Sequence, residues 1–362
     1  MKNMSHVTGH TSQKNPNTNQ GPRGAVVTDQ FQRPLHDVRI SVIDRCNFRC
    51  PYCMPEDEYS HAYTFLDKQE WLTFGEILRL AKIFVRLGAA KIRLTGGEPL
   101  LRPDLPELIR QMTKINGIED LALTTNGWFL AEKAAELKAA GLHRLTVSLD
   151  TLSEKTFQTM SGGKGSVGRV LDSIGAAALC GFSAIKINTV VQKGVNDATV
   201  LDLVERFKGT GHVLRFIEYM DVGTCNHWQN TQVVPSRELY RIINERFPLR
   251  PVEGNYFGEV AERYEFTDGT GEIGFISSVT QPFCGTCTRM RLSTDGKIYT
   301  CLFAGEGTDL RGPIRDGASD DELYAIVKKV WQGRMDKYSE NRWLFRSLKA
   351  TSKKIEMFQI GG

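Results

Sequence analysis

The chain has no apolar run long enough to span a bilayer, which excludes a helical membrane protein, and its first thirty residues lack the apolar core of a signal peptide. Its eight cysteines are therefore expected as reduced thiols or metal ligands, not disulfides, in a cytoplasmic protein. Charge of one sign is also missing. The 46 basic and 42 acidic residues are well mixed, and the net +4 lacks the clustered patch that nucleic-acid binding requires. Only the C-terminal end, with Arg346, Lys349, Lys353 and Lys354, gathers cations, and it reads as a solvated helix face. There is no internal repeat. Large apolar side chains are almost absent before Val26, where Asn, Gln, Thr, Gly and Ser dominate, so residues 1–34 are expected to form a disordered extension. Lys2, Lys14 and Arg23 precede any acidic residue, but the stretch is too poor in arginine for a transit peptide.

What remains is 41% hydrophobic and 24% charged, ordinary for a globular protein, and 362 residues make room for about two domains. The most informative stretch is Asp44 to Pro55, DRCNFRCPYCMP. Cys46, Cys50 and Cys53 lie within eight residues, and soft thiolates at such spacing favour zinc, copper(I) or iron–sulfur chemistry. Three thiols are one short of a closed zinc site. With no His or further Cys in the loop, the simplest reading is a four-iron cluster with one iron left open for an exogenous ligand; a zinc knuckle with a distant fourth ligand is the alternative.

From Val38 onward, short β-rich runs alternate with helical periods. Val38–Ile43, Lys91–Thr95, Leu121–Thr124, Arg144–Leu149, Ile185–Val191 and Val213–Tyr219 read as strands. Between them, apolar residues repeat at helical spacing and stop at glycines such as Gly88, Gly141 and Gly181. Six βα-type units argue for parallel strands covered by helices, with function at the strands' C-terminal ends, where the cysteine loop sits. After a helix at Ser236–Phe247 the pattern changes. Residues 251–303 are dense in glycine and short β runs, which places a second, smaller region there, followed by a helix at Glu322–Trp331.

That second region carries Cys284, Cys287 and Cys301, a CX2CX13C pattern, again three ligands without a nearby His. Spacing alone leaves zinc and an iron–sulfur cluster both open. Cys180 and Cys225 read as structural or incidental thiols. Arg39, Arg93, Lys186 and Arg215 sit within or beside apolar β runs, where such side chains are rarely buried without an anionic partner. Each pairs with a carboxylate such as Asp44, Glu98 or Glu218, or several share one anion pocket. Arg289 and Arg291, two apart in a β run, project to one face, and guanidinium forks suit phosphate.

Taken together these motifs resemble the radical S-adenosylmethionine (SAM) superfamily, whose CX3CX2C signature the first triplet carries with Tyr52 before its last cysteine. Within it they resemble the GTP 3′,8-cyclases of molybdenum-cofactor biosynthesis, the MoaA family. The resemblance runs from about Arg33 to Gly362. It rests on the first triplet, Gly96-Gly97-Glu98-Pro99, Thr124-Thr125-Asn126-Gly127, Val147-Ser148-Leu149-Asp150, the second triplet with Thr288-Arg289-Met290-Arg291-Leu292 after it, and the terminal Gly361-Gly362. The N-terminal extension is the main departure.

The resemblance implies an α/β fold: an open (β/α)6 partial TIM barrel at 35–250, and a smaller C-terminal α+β domain at 251–340 with a second iron–sulfur cluster, followed by a tail at 341–362. It implies 4Fe-4S clusters on Cys46, Cys50 and Cys53 and on Cys284, Cys287 and Cys301, the first binding SAM. Tyr52, Gly97, Ser148 and Met220 would contact SAM. Arg39, Arg93, Thr124, Lys186, Arg289, Met290 and Arg291 would contact GTP. Gly361 and Gly362 would enter the active site and be needed for activity. The implied reaction, a lyase reaction, takes the 3′ hydrogen of GTP and joins the ribose radical to guanine C8, giving 3′,8-cyclo-7,8-dihydro-GTP. Implied partners are a flavodoxin or ferredoxin as electron donor and a cyclic pyranopterin monophosphate synthase downstream, with no nucleic acid or membrane, and a monomeric or homodimeric state. Two other readings stand beside it: a peptide-modifying radical SAM enzyme, and a binding protein with zinc on both triplets.

Overall fold

Strict alternation of polar and apolar residues along six short runs has one structural consequence: a sheet with one apolar and one polar face. The computed structural model, which describes residues 26–60, 62–347 and 354–361, contains that sheet. Strands β1 (Asp37–Ser41), β2 (Lys91–Thr95), β3 (Asp120–Thr125), β4 (Arg144–Ser148), β5 (Lys186–Val191) and β6 (Val213–Glu218) are parallel and adjacent in chain order. Helices α1 (Phe74–Arg86), α2 (Leu105–Met112), α3 (Leu130–Ala139), α4 (Glu154–Ser161), α5 (Val167–Leu179) and α6 (Val200–Phe207) fill the crossovers. Their starts follow from local chemistry. Thr73 and Glu76 form a capping box on α1, and Ser153 and Ser166 cap α4 and α5 by accepting from backbone N–H groups. Outward-facing Val38, Ile40, Ile92, Leu94, Leu121, Leu123 and Val147 join the helices in the main core, while Arg39, Arg93, Thr124, Thr146 and Asn188 project to the other side.

The second region, expected as a smaller C-terminal domain, is built onto the edges of the same sheet. After α7 (Ser236–Arg246), strands β7 (Leu249–Val252), β8 (Glu262–Phe266), β9 (Glu272–Ile276), β10 (Arg289–Leu292), β11 (Lys297–Tyr299) and β12 (Thr308–Asp309) join the same sheet. β9 lies parallel to β6 at one edge and β10 parallel to β1 at the other. An open six-stranded sheet leaves two rows of unpaired backbone groups, and these strands satisfy them. β1 and β6 are not paired with each other, so the six-stranded unit is open. The chain between β9 and β10 passes from one edge to the other, and it carries Cys284 and Cys287. The chain continues through α8 (Arg311–Arg315), α9 (Asp320–Gln332), with a Ser319 capping box, and α10 (Arg342–Ser347), then α11 (Met357–Ile360) in the tail.

Two expectations at the ends change. Residues 26–34, read as part of a disordered extension, are packed: Thr28 bridges Pro34, Val27, Asp29 and Arg33 are buried, and the Trp331 indole N–H donates to the Arg33 carbonyl at 3.1 Å. Composition missed this because the partners lie about 300 residues away. Lys354, read as part of a solvated face, instead donates to the Asp221 carbonyl at 3.0 Å and the Tyr338 hydroxyl at 2.6 Å. Residues 1–25, Lys349, Lys353 and Gly362 lie outside the described residues.

Candidate active site

The first cysteine loop leaves the C-terminal end of β1 and is held by backbone. Gly97 N–H donates to Ile43 O and Glu98 N–H to Arg45 O, both at 2.8 Å. This is only possible because residues 96 and 97 lack side chains: a Cβ at Gly97 would stand 2.2 Å from Arg45 O, and one at Gly96 2.4 Å from Ile43 O. The space expected for a SAM contact at Gly97 is thus taken on one side by the cysteine loop itself. The Glu98 carboxylate accepts from Leu100 N, Thr125 Oγ1 and Asn126 N, tying the ends of β2 and β3 together; burial pushes it up to about 7 against those hydrogen bonds. Burial likewise pushes the Cys46 thiol up to about 12, helped by Glu98, and raises Cys50 and Cys53, each further raised by its neighbours in the triplet. Thiolates there need positive charge brought to them, which iron supplies.

Around the second triplet the field is mixed: burial and Asp336 raise Cys301 to about 12, whereas Cys287 faces cations. Cys284 opens a short turn closed by Cys287 N–H to Cys284 O at 3.2 Å, and Cys301 follows β11. Burial raises the Cys287 thiol, but the Arg289 and Arg334 guanidinium groups outweigh it and bring it down to about 6. Both donate to Cys287 Sγ at 3.2 Å. Among the described residues, no group of three or more His, Cys, Asp or Glu side chains is arranged to hold a single metal ion. Zinc needs its ligands about 2.3 Å from one point, whereas in a four-iron cluster each thiolate binds its own iron and the ligands stand apart. Both donor sets consist of thiols alone, which fits the ligands that iron–sulfur clusters take.

All six of these cysteines line one cavity of about 300 Å³, inside the ~300–1,000 Å³ typical of small-molecule sites. Its wall between the triplets is cationic. Arg39 lies opposite Arg93 in β2 and opposite Arg291 in β10, so three guanidinium groups on adjacent strands share one level. Side chains so placed are about 5 Å apart at Cβ, and like charges there repel. Burial and this mutual repulsion lower Arg39 well below its ordinary value, and burial first, then neighbouring cations, take Arg93 to about 10 and Arg291 to about 9. The carboxylates that sequence offered as partners are occupied elsewhere. Asp44 accepts from Leu66 N–H, and Glu218 from Ser236, Val279 and Thr280 N–H, all at 2.8 Å. Among the described residues the ion pairs leave Arg39, Arg93, Lys186, Arg289 and Arg291 without a carboxylate, while Arg215 reaches Glu259 at 3.4 Å and keeps a buried, unpartnered Nε. The chemistry of such a buried cationic wall suits an anionic ligand.

The other expected residues divide. Tyr52, Ser148, Met220 and Thr124 line the cavity; Thr124 and Thr146 accept from Arg93 Nη1 at 2.9 and 2.8 Å. The Tyr52 hydroxyl donates to Asp150 at 2.8 Å, and burial raises Asp150 to about 6. Met290 is a correction: between two inward arginines, its side chain points out of the cavity into the main core and is fully buried. Lys186 does not line the cavity. It opens β5 beside Thr146, and burial with Arg215, Arg144, Lys91 and Arg93 nearby lowers it to about 6. Gly361 reaches the wall from the tail, its carbonyl accepting from Arg291, with the Thr95 side chain packed where a Cβ would be. On the way, Phe358 packs edge-on against Tyr59 of the first cysteine loop, ring centres 4.9 Å apart, and Glu356 accepts from Thr224 N–H at 2.8 Å.

Site residues missed by sequence include Arg334, Asp336, Asn188 and Asn126, whose amide points at Cys46 Sγ from 3.8 Å. Asn126 and Asn188 had a signal, a position at or inside a cavity-facing strand end. Arg334, in a loop after α9, had none.

The Radical SAM superfamily model matches residues 40–207, and the Molybdenum Cofactor Synthesis C model matches residues 212–340. A GTP 3′,8-cyclase of Xanthomonas axonopodis pv. citri (strain 306) is 52% identical over 338 residues, covering 93% of this chain and 99% of that protein. One from Staphylococcus epidermidis (strain ATCC 12228 / FDA PCI 1200) is 46% identical over the same length, with 93% and 99% covered. Among solved structures, Streptococcus suis SuiB bound to S-adenosylmethionine shares the fold, with TM-score 0.56 and 16% identity over 82% of this chain and 68% of that one.

Proposed function

Because this chain belongs to the GTP 3′,8-cyclase family, a radical SAM family of molybdenum-cofactor biosynthesis, we propose that its cavity is where GTP is converted to 3′,8-cyclo-7,8-dihydro-GTP. The observation that carries the reading is the shared cavity, lined by both cysteine triplets and by arginines on three adjacent strands. Cys46, Cys50 and Cys53 would hold a cluster that binds SAM, and the chemistry the pair supplies when bound is one-electron cleavage to a carbon radical able to take the 3′ hydrogen.

The chain's own residues then have distinct tasks. Arg39, Arg93 and Arg291 hold the triphosphate, which relieves their mutual repulsion. Lys186 takes up a proton as the anion arrives. Cys284, Cys287 and Cys301 would hold a second cluster in the same cavity, where its open iron could bind the guanine. Thr124 and Thr146 fix the Arg93 fork. Phe358 and Gly361 close the wall next to the first loop and keep water from the radical step. The overall change is ring closure by C–C bond formation without hydrolysis, a lyase reaction, with a flavodoxin or ferredoxin supplying electrons and a cyclic pyranopterin monophosphate synthase taking the product in the cytoplasm. No helix among the described residues is long and apolar enough to cross a membrane.

The test is an anaerobic reaction of cluster-replete protein with SAM, reductant and GTP deuterated at C3′. Deuterium in the released 5′-deoxyadenosine is expected; unlabelled 5′-deoxyadenosine released at an uncoupled rate would overturn the assignment of the substrate position. Cys284→Ala is expected to keep SAM binding and to lose cyclisation, and wild-type turnover in that variant would remove the second triplet from the reaction.

A further inference from the structure

The two triplets differ in what donates hydrogen bonds to their sulfurs. Cys46 Sγ accepts from neutral groups alone, the Phe48 backbone N–H at 3.4 Å and the Asn126 amide at 3.8 Å. Cys287 Sγ accepts from two guanidinium groups. One belongs to Arg289, two residues on; the other, Arg334, comes from beyond α9 and is almost wholly buried.

Arg334 is held in place from several sides. Its Nε donates to Asp336 at 2.8 Å, its Nη1 to the Cys287 carbonyl at 2.7 Å, and Nη1 stands 3.7 Å from Asp29. The Trp331 ring lies against it at 4.8 Å. Asp29 in turn holds Arg33 at 2.6 Å, and Arg33 Nη1 donates to the Cys284 carbonyl at 2.6 Å. The ring of contacts is closed through both cysteines of the turn, and a planar guanidinium gripped at three edges cannot rotate away from the sulfur. Asp29 and Asp336 hold Arg33 and Arg334 from the far side, which leaves Arg334 and Arg289 each with a guanidinium nitrogen on Cys287 Sγ.

A fixed cationic donor on a cluster thiolate stabilises the reduced, more negative form more than the oxidised one, and hydrogen bonds to sulfur are among the levers that set cluster potentials. We propose that Arg334 is a positioning and tuning residue for the second cluster: its hydrogen bond to Cys287 raises that cluster's reduction potential above that of the first. The inference rests on the second-cluster reading given above.

The test is a potentiometric titration followed by electron paramagnetic resonance, in full-length protein carrying one cluster at a time. Cys46, Cys50 and Cys53 are replaced by Ala to isolate the second cluster, and Cys284, Cys287 and Cys301 to isolate the first. The second cluster is expected at the higher potential. Arg334→Gln, made in the background that keeps only the second cluster, is expected to move it down towards the first, and Arg334→Lys, which keeps the charge but loses the fork, to move it part of the way. Iron should stay at about four per chain. Full iron with an unmoved potential in both variants overturns the proposal; if Arg334→Gln does not fold, Arg334→Lys decides it alone. No iron or sulfide in the background lacking the first triplet overturns the second-cluster reading itself, and iron counting separates that failure from the other.

Discussion

Around the first cysteine triplet the supporting contacts are local: Gly97 and Glu98 donate backbone to backbone to Ile43 and Arg45 at the ends of neighbouring strands, and Arg49, from within the loop, donates to the Cys46 carbonyl at 2.9 Å. Around the second they run through long side chains, and Arg33 reaches the Cys284 carbonyl across 251 residues of sequence. The first arrangement depends on the absence of two side chains; the second depends on the presence of several, delivered by segments that meet only when the sheet is complete. One site is therefore sensitive to added atoms and the other to removed charges.

The sharpest way to break the first side of this comparison is Gly97→Ala. The new methyl would stand 2.2 Å from Arg45 O and 2.5 Å from its carbonyl carbon, and neither is the movable end of a side chain. The cysteine loop must shift, so we expect loss of the first cluster and of all SAM cleavage. After anaerobic reconstitution this reads as iron falling by about half. On the other side, Arg33→Ala leaves the buried Asp29 its two backbone N–H donors but no cation nearer than Arg334 among the described residues. Removing one member of a buried pair costs about 3–5 kcal/mol. Denaturant unfolding should report that loss, and iron analysis should show the second cluster depleted while SAM cleavage persists.

Two smaller effects sharpen the comparison at the wall between the triplets. Gly361 has φ +72° and would place a Cβ 2.0 Å from the Thr95 methyl. Gly361→Ala is expected to lower cyclisation at least tenfold, from the ~1–2 kcal/mol of left-handed backbone strain with the clash against Thr95 added to it, with both clusters intact. Adding Thr95→Ser, which deletes the opposing methyl, should recover part of the loss in steady-state assays. Lys186 gives the smallest and most specific signal. Burial and neighbouring cations lower it to about 6, so at pH 7 and above it is largely neutral in the free protein, and a triphosphate on nearby Arg93 would offset those cations and favour its protonation from behind the wall. Affinity for GTP should therefore fall as pH rises above 7, by at most about tenfold per unit. Calorimetry in buffers of different ionisation enthalpy should show proton uptake, and Lys186→Met should remove it.

The cavity-facing arginines were legible because a charge every second residue in an apolar β run can only lie on the polar face. Register then aligned Arg39, Arg93 and Arg291, and the same alternation, followed one residue further, sends Met290 into the core. The glycine pair before Glu98 was legible as a close approach, but not as an approach by the chain's own loop. Arg334 was invisible, since nothing about an arginine beside Gly333 and Met335 marks it as a ligand to a sulfur 47 residues earlier.

The sequence by itself determined the six strands and their helices, both sets of three thiols and the cationic face between them, because side-chain period, glycine geometry and thiol spacing are properties of a few neighbouring residues. Only the tertiary structure decided that β9 and β10 would extend the two edges of one sheet, that both triplets would open on one cavity, and that Asp29, Arg33 and Arg334 would close around the second. Those outcomes depend on which distant backbone edges and buried charges satisfy one another once the core has formed, and no local pattern carries that information.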